Sequence, residues 1–142
     1  DSRSFNLGAV RYLKGIVKKE DEKELKKWVK KTTEKHKPLY LIGSGGNINK
    51  IFKLSGTKVK DNASLTLAQV TQVYKLVKSY SLEERIKRLD MNPDRADVII
   101  PASEIFIDIM KGCGSSKIYV PKIGLADGII RQLYREYKEK TK

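Results

Sequence analysis

The chain has 142 residues, of which 30 are Lys or Arg and 17 are Asp or Glu, for a formal net charge of +13. A hydrophobic share of 39% at a length usual for one domain supports a real core, which excludes a disordered basic tail. The charge points to an anionic partner, whether nucleic acid, a membrane surface or a phosphorylated substrate, and leaves the fold open.

Ser4-Phe5-Asn6-Leu7 alternates like a strand, and Gly8 opens a segment with Val10, Leu13 and Val17 at helical spacing. From Glu20 to Lys37, Leu25, Trp28, Val29 and Thr32 line one face of an amphipathic helix. Lys23, Lys26, Lys27, Lys30 and Lys31 cover the rest as a solvated face, Trp28 sits at core spacing, and His36 lies at the basic helix end. Leu39 to Ile42 is apolar throughout, which predicts a central, buried strand. It breaks into Gly43-Ser44-Gly45-Gly46-Asn47, and Ile48, Ile51 and Phe52 then give a short helix stopping at Gly56.

Lys58 to Asn62 reads as a polar loop. Thr66 with Gln69 forms a capping box ahead of Val70, Val73, Tyr74 and Val77, and Ser81 with Glu84 repeats it ahead of Ile86 and Leu89. Asn92-Pro93 starts another helix, whose apolar positions run from Ala96 to Met110 and end at Gly112, with Pro101 marking a break or kink. Lys117 to Val120 is a short strand ended by Pro121. Leu125 onward is a final helix carrying Ile129, Ile130, Leu133 and Tyr137. Three strands with intervening helices make an α/β pattern, which places ligands at the carboxyl ends of strands.

The glycine turn is the strongest chemical signal. A strand that breaks into glycines and re-enters as a helix leaves backbone N–H groups free at the helix N-terminus, a setting suited to phosphate. Ser44 to Asn47 lacks the Gly-Lys-Ser/Thr ending of a P-loop and the spacing of a dinucleotide fingerprint, so a plain turn with Asn47 as N-cap is the competing reading. Arg95 can grip phosphate bidentately or pair locally with Asp94 or Asp97. The lone Cys113 lies in a Gly112-Cys113-Gly114 turn, agrees with a reducing compartment and lacks a stated base. No apolar run approaches the roughly 20 residues of a membrane span, and no signal-peptide core is present. A soluble, cytoplasmic protein without a membrane partner is the expectation. The first residue is Asp1 rather than Met, which suggests a processed or excised piece.

Five segments carry a family resemblance: Ser4-Phe5-Asn6-Leu7-Gly8-Ala9-Val10-Arg11, Gly43-Ser44-Gly45-Gly46-Asn47, Leu82-Glu83-Glu84-Arg85, Pro93-Asp94-Arg95-Ala96-Asp97-Val98-Ile99 and Gly124-Leu125-Ala126-Asp127-Gly128-Ile129. In order and approximate spacing they resemble the exopolyphosphatase and guanosine pentaphosphate phosphohydrolase family. The resemblance implies a ribonuclease H-like lobe of the actin, sugar-kinase and heat-shock-chaperone superfamily, with residues 1–142 as most of the second lobe, incomplete at its N-terminal strands. The upstream lobe, its phosphate loop and its catalytic glutamate have no counterpart here, and neither does the Asp-x-Gly-Gly-Gly-Ser-x-Glu turn. Asn47 stands where the family commonly has Thr, and Ala126-Asp127 where it has Arg-Glu.

By that resemblance the phosphate-binding residues are Ser44, Gly45, Gly46, Asn47 and Arg95, with no catalytic residue and no metal ligand in this chain. Magnesium arrives with the substrate, which is inorganic polyphosphate or a phosphorylated guanine nucleotide. The missing upstream lobe is a partner, and a homodimer is possible. Asp127 reads as a helix-start acid, Glu84 as the capping-box acid and Arg85 as a helix-surface partner. The alternative reading is a non-catalytic basic module binding polyanions or nucleic acid, although the tyrosines form no stripe interleaved with basic residues.

Overall fold

The computed structural model describes residues 2–58 and 63–141. In chain order the elements are α1 (Ala9–Leu13), α2 (Lys19–Thr33), β1 (Leu41–Ile42), α3 (Gly46–Leu54), β2 (Ser64–Thr66), α4 (Leu67–Ser79), α5 (Leu82–Arg88), α6 (Pro93–Ala96), α7 (Ile99–Cys113), β3 (Lys117–Tyr119) and α8 (Leu125–Lys140). The α/β reading holds, with helix dominating a small sheet.

The three strands run in the order β1-β3-β2, with β3 parallel to β1 and antiparallel to β2. Leu41 pairs with Ile118 and Leu65 also pairs with Ile118 from the other side, so β3 is the centre. This corrects the expected placing of Leu39 to Ile42: β1 is an edge strand, with Tyr40 55% and Ile42 76% exposed. An apolar run reports affinity for a covered surface, and among the described residues only one edge of β1 is paired. Ser4 to Leu7 likewise forms no strand, although Phe5 and Leu7 are half-buried and Asn6 exposed as alternation demands. Period-two patterning needs a neighbouring ladder before it becomes a strand. Most of the Lys58 to Asn62 loop lies outside the described residues.

The core gathers where α3, α4 and α7 meet the sheet. Ile48, Ile51 and Phe52 of α3, Val70, Val73 and Val77 of α4, and Ile99, Ile107 and Met110 of α7 enclose Leu65, Ile118 and Val120. Both capping boxes form as expected. Thr66 Oγ1 accepts from the Gln69 N–H at 3.2 Å while Gln69 Oε1 accepts from the Thr66 N–H at 2.8 Å. Ser81 and Glu84 do the same for α5 at 3.2 and 3.0 Å, and that backbone contact is the main reason the Glu84 carboxyl lies below its usual range.

The helix expected to run from Pro93 to Gly112 is two helices. Pro101 has no N–H to give the Asp97 carbonyl, and its ring would collide with that same carbonyl in a continuous helix. The chain therefore breaks after Ala96 and restarts at Ile99, which puts Pro101 in a first turn, where its missing donor costs nothing. At the far end α7 runs one residue past Gly112. Gly114 takes φ 67°, and the N–H groups of Gly114 and Ser115 close onto the carbonyls of Lys111 and Met110 in a Schellman motif. Cys113 is thus the buried last residue of α7 rather than part of a loop. Ser115 Oγ then lies 2.9 Å from the Leu39 carbonyl and 2.8 Å from that of Lys117, joining the start of β3 to the approach to β1.

Candidate phosphate site

Because β1 and β3 are parallel, their carboxyl ends open on the same side of the sheet. The Gly43 N–H donates to the Tyr119 carbonyl at 2.8 Å, holding the last rung before the chain turns into α3. A Cβ on Gly43 would come within 2.8 Å of Ile118 Cδ1 and 2.9 Å of Ile48 Cγ1, so strand, sheet centre and helix converge too closely for any side chain there. Gly45 has φ 106° and ψ 169°, a conformation left almost entirely to glycine, and it is the N-cap of α3. Its carbonyl accepts from the Asn49 N–H at 3.2 Å.

Asn47 is therefore not the N-cap. It lies within the first turn, and no side chain caps α3. The N–H groups of Gly46, Asn47 and Ile48 belong to that first turn and have no intrahelical acceptor to reach. They leave the positive end of the nine-residue α3 beside exposed Ser44 and the carboxyl ends of the two parallel strands.

Arg95 comes to this turn from a distant part of the chain. Its guanidinium fills the space that a side chain on Gly46 would take, with Nη1 the nearest atom. Among the described residues it forms no ion pair with Asp94 or Asp97, so the local pairing considered from sequence does not occur. Asp97 instead keeps one buried carboxylate oxygen, and Asn49 its buried amide oxygen, without a hydrogen-bond partner. Ser44, Gly45, Gly46, Asn47 and Arg95 are thus all drawn to one place.

Two residues outside that set anchor the chain on either side of Arg95. Arg85 is more than the surface residue its helix position suggests: its guanidinium donates to the Tyr80 carbonyl at 3.1 Å and to the Ala96 carbonyl, tying α5 to α6 immediately beside Arg95. Lys50 Nζ, from α3, donates to the carbonyls of Leu89 at 2.8 Å and Asp90 at 2.5 Å. Burial is the main cause that lowers the Lys50 amine below its usual range, with Lys53 adding to it. No pattern in the sequence pairs Lys50 with carbonyls so far along the chain. Lys122, just beyond β3, is a further cation at this end of the sheet, with Nζ 5.5 Å from the centre of the Phe52 ring.

Other candidates stay apart. Gly124 caps α8 and its N–H donates to Asp127 Oδ2 at 2.7 Å, which makes Asp127 the helix-start acid expected of it. Among the described residues no three His, Cys, Asp or Glu side chains are grouped to hold a metal ion, and no helix is long and apolar enough to cross a membrane.

Neither a family model nor a curated protein matches the chain. Solved structures do. An exopolyphosphatase from Cytophaga hutchinsonii superposes with a TM-score of 0.72 at 18% identity, covering 92% of this chain and 48% of that one. A member of the Ppx/GppA protein family from Aquifex aeolicus gives 0.61 at 22%, covering 93% and 44%, and the type II crystal variant of the Aquifex aeolicus Ppx/GppA phosphatase gives 0.58 at 23%, covering 89% and 43%. The resemblance drawn from five sequence segments is thus matched by the fold, and the chain spans less than half the length of each of these structures.

Proposed function

We propose that this chain is part of a phosphoanhydride hydrolase of the exopolyphosphatase and guanosine pentaphosphate phosphohydrolase kind, and that it forms a phosphate-binding wall of a cleft closed by an upstream lobe. The observation that carries the reading is the Arg95 guanidinium lying on Gly46, at the N-terminus of α3. Terminal phosphate transfer requires charge neutralisation, a positioned water and an anchor for the remaining polyanion. The first-turn N–H groups of α3 and Arg95 supply neutralisation, and the Ser44 and Asn47 side chains add polar contacts. The general base belongs to the upstream lobe, and magnesium comes bound to the substrate, inorganic polyphosphate or guanosine pentaphosphate. The ribonuclease H-like ancestry of the lobe, its place as the second of two and a cytoplasmic location belong to the same proposal.

Gly46→Ala is the sharpest test. The added methyl must displace the far end of a flexible side chain, so folding is spared while the cation leaves the turn. In the whole protein, magnesium-dependent phosphate release is expected to fall by about 10²-fold in Arg95→Ala, the usual cost of one preorganised charge partner, and by a smaller factor in Gly46→Ala. The isolated chain should release negligible phosphate. Unchanged turnover in both variants, with unchanged melting, would show that the turn is only structural. In the non-catalytic reading, supported by the +13 charge, polyanion affinity would fall with salt and ignore both substitutions.

A further inference from the structure

The N-terminal segment packs along α2 and builds with it a second basic surface that shares no residue with the glycine turn. Arg3 pairs with Glu24 and lies 5.2 Å from the centre of the Phe5 ring. Phe5 meets Trp28 edge to face at a centroid distance of 5.6 Å and an interplanar angle of 64°. Between this arm and the helix lies a half-open groove of about 700 Å³ whose lining includes Trp28, Thr32, Lys27, Lys31 and His36. The expected core role of Trp28 is therefore only half of its behaviour: the half-buried ring packs against Phe5 and also lines the groove.

The groove's charge is lopsided. Arg3 and Glu24 answer each other, whereas Lys27 and Lys31, one helical turn apart, make no ion pair among the described residues. Two ammonium groups without an ion-pair partner that line the same groove as an indole and the Thr32 side chain suit a ligand with both an aromatic ring and a cluster of negative charge. An inorganic polyanion would use the lysines and leave the ring idle. A neutral aromatic compound would use the ring and waste the lysines.

We propose that this groove binds a nucleoside polyphosphate, its base stacked against Trp28 and its phosphates held by Lys27 and Lys31. Phe5 fixes the indole so that little order remains to be lost on binding, and the stacked ring adds affinity that phosphate alone does not obtain. The arrangement stands independently of the glycine turn and of the hydrolase reading.

Trp28 is the only tryptophan in the chain, so its fluorescence reports on this groove alone. At constant ionic strength, adenosine or guanosine triphosphate is expected to quench it saturably, with a dissociation constant at least about tenfold below that obtained by competition with inorganic tripolyphosphate, a margin that one base stack supplies. Lys27→Glu with Lys31→Glu should raise that constant by about tenfold or more, since contacts from charged donors each carry about that factor. The charge-matched pair Lys138→Glu with Lys140→Glu on α8 should leave it within about twofold. All four lysines are exposed, and thermal melting checks that folding is kept. Equilibrium dialysis with Trp28→Leu, which removes the reporter, should show the preference for nucleoside triphosphate over tripolyphosphate disappear. Equal affinity for tripolyphosphate, or equal losses in the two lysine pairs, would overturn the proposal and leave a diffuse basic surface.

Discussion

Helices α7 and α8 have almost the same length, 15 and 16 residues, and both carry an apolar stripe at helical spacing. Yet α7 buries seven residues and α8 buries none. Four other helices, α1 to α4, pack on α7, whereas Leu125, Ile130 and Tyr137 of α8 stand 83%, 66% and 66% exposed. Sequence periodicity records that a helix has an apolar face, and it cannot record which body covers that face. For α7 the covering body is in this chain; for α8 it is not found among the described residues.

The contrast can be broken most forcefully at Met110, fully buried where α7 meets the core. Met110→Ala is expected to cost about 2–5 kcal/mol, through lost transfer and a residual cavity, and to lower the melting temperature by roughly 10 °C. Chemical denaturation of the purified chain measures it, and a loss below about 1 kcal/mol would mean that α7 is no more anchored than α8.

A middle-sized effect lies in the capping box that starts α4, the helix packed along α7. Thr66→Ala removes the hydroxyl that accepts from the Gln69 N–H and should destabilise by about 1 kcal/mol. The change leaves the α4–α7 contact surface untouched, so it separates local capping from packing.

Tyr12 sharpens the comparison from the rim of α7, on which α1 packs. Its hydroxyl donates to Glu22 Oε1 at 2.9 Å, and burial first, then Glu22, pushes its pKa from 10.0 up to about 12. The fold therefore favours the neutral phenol. Its contribution is complete below pH 10 and is lost as pH rises through about 12. An ultraviolet titration of tyrosinate should show this ring ionising late, and Glu22→Gln should bring it only part of the way back, because burial is the larger cause. The smallest effect is expected on α8, where Ile130→Ala should change stability by less than about 0.5 kcal/mol. A loss of 2 kcal/mol would show that the apolar stripe of α8 is covered in solution, by a second copy or another body, and dilution would tell the two apart.

What could be read from sequence follows the range of each interaction. Thr66 with Gln69 and Ser81 with Glu84 were legible because capping joins residues three apart. Pro101 announced a break for the same reason. β2 was missed: three residues carry too little alternation, and its identity comes from pairing with Lys117 to Tyr119 on the far side of four helices. Leu39 to Ile42 was placed at the centre because its composition is that of a covered strand, a property of the surface it seeks and not of its neighbours here. At the site, glycine spacing and Arg95 were each visible alone. Their meeting, and the brackets formed by Arg85 and Lys50, depend on contacts no local pattern encodes.

The break forced by Pro101 has a consequence for motion. Because α6 is severed from α7, the arginine at the glycine turn rides on a four-residue segment anchored in the core by Ala96 and, in the connection before it, by Met91. With no residue of α5 fully buried against seven in α7, the amides of α5 should exchange with solvent at a lower free-energy cost than those of α7. The charge facing the turn is thereby carried on a segment that can shift apart from α7, while the turn itself is wedged at Gly43 between Ile118 of the central strand and Ile48 of α3.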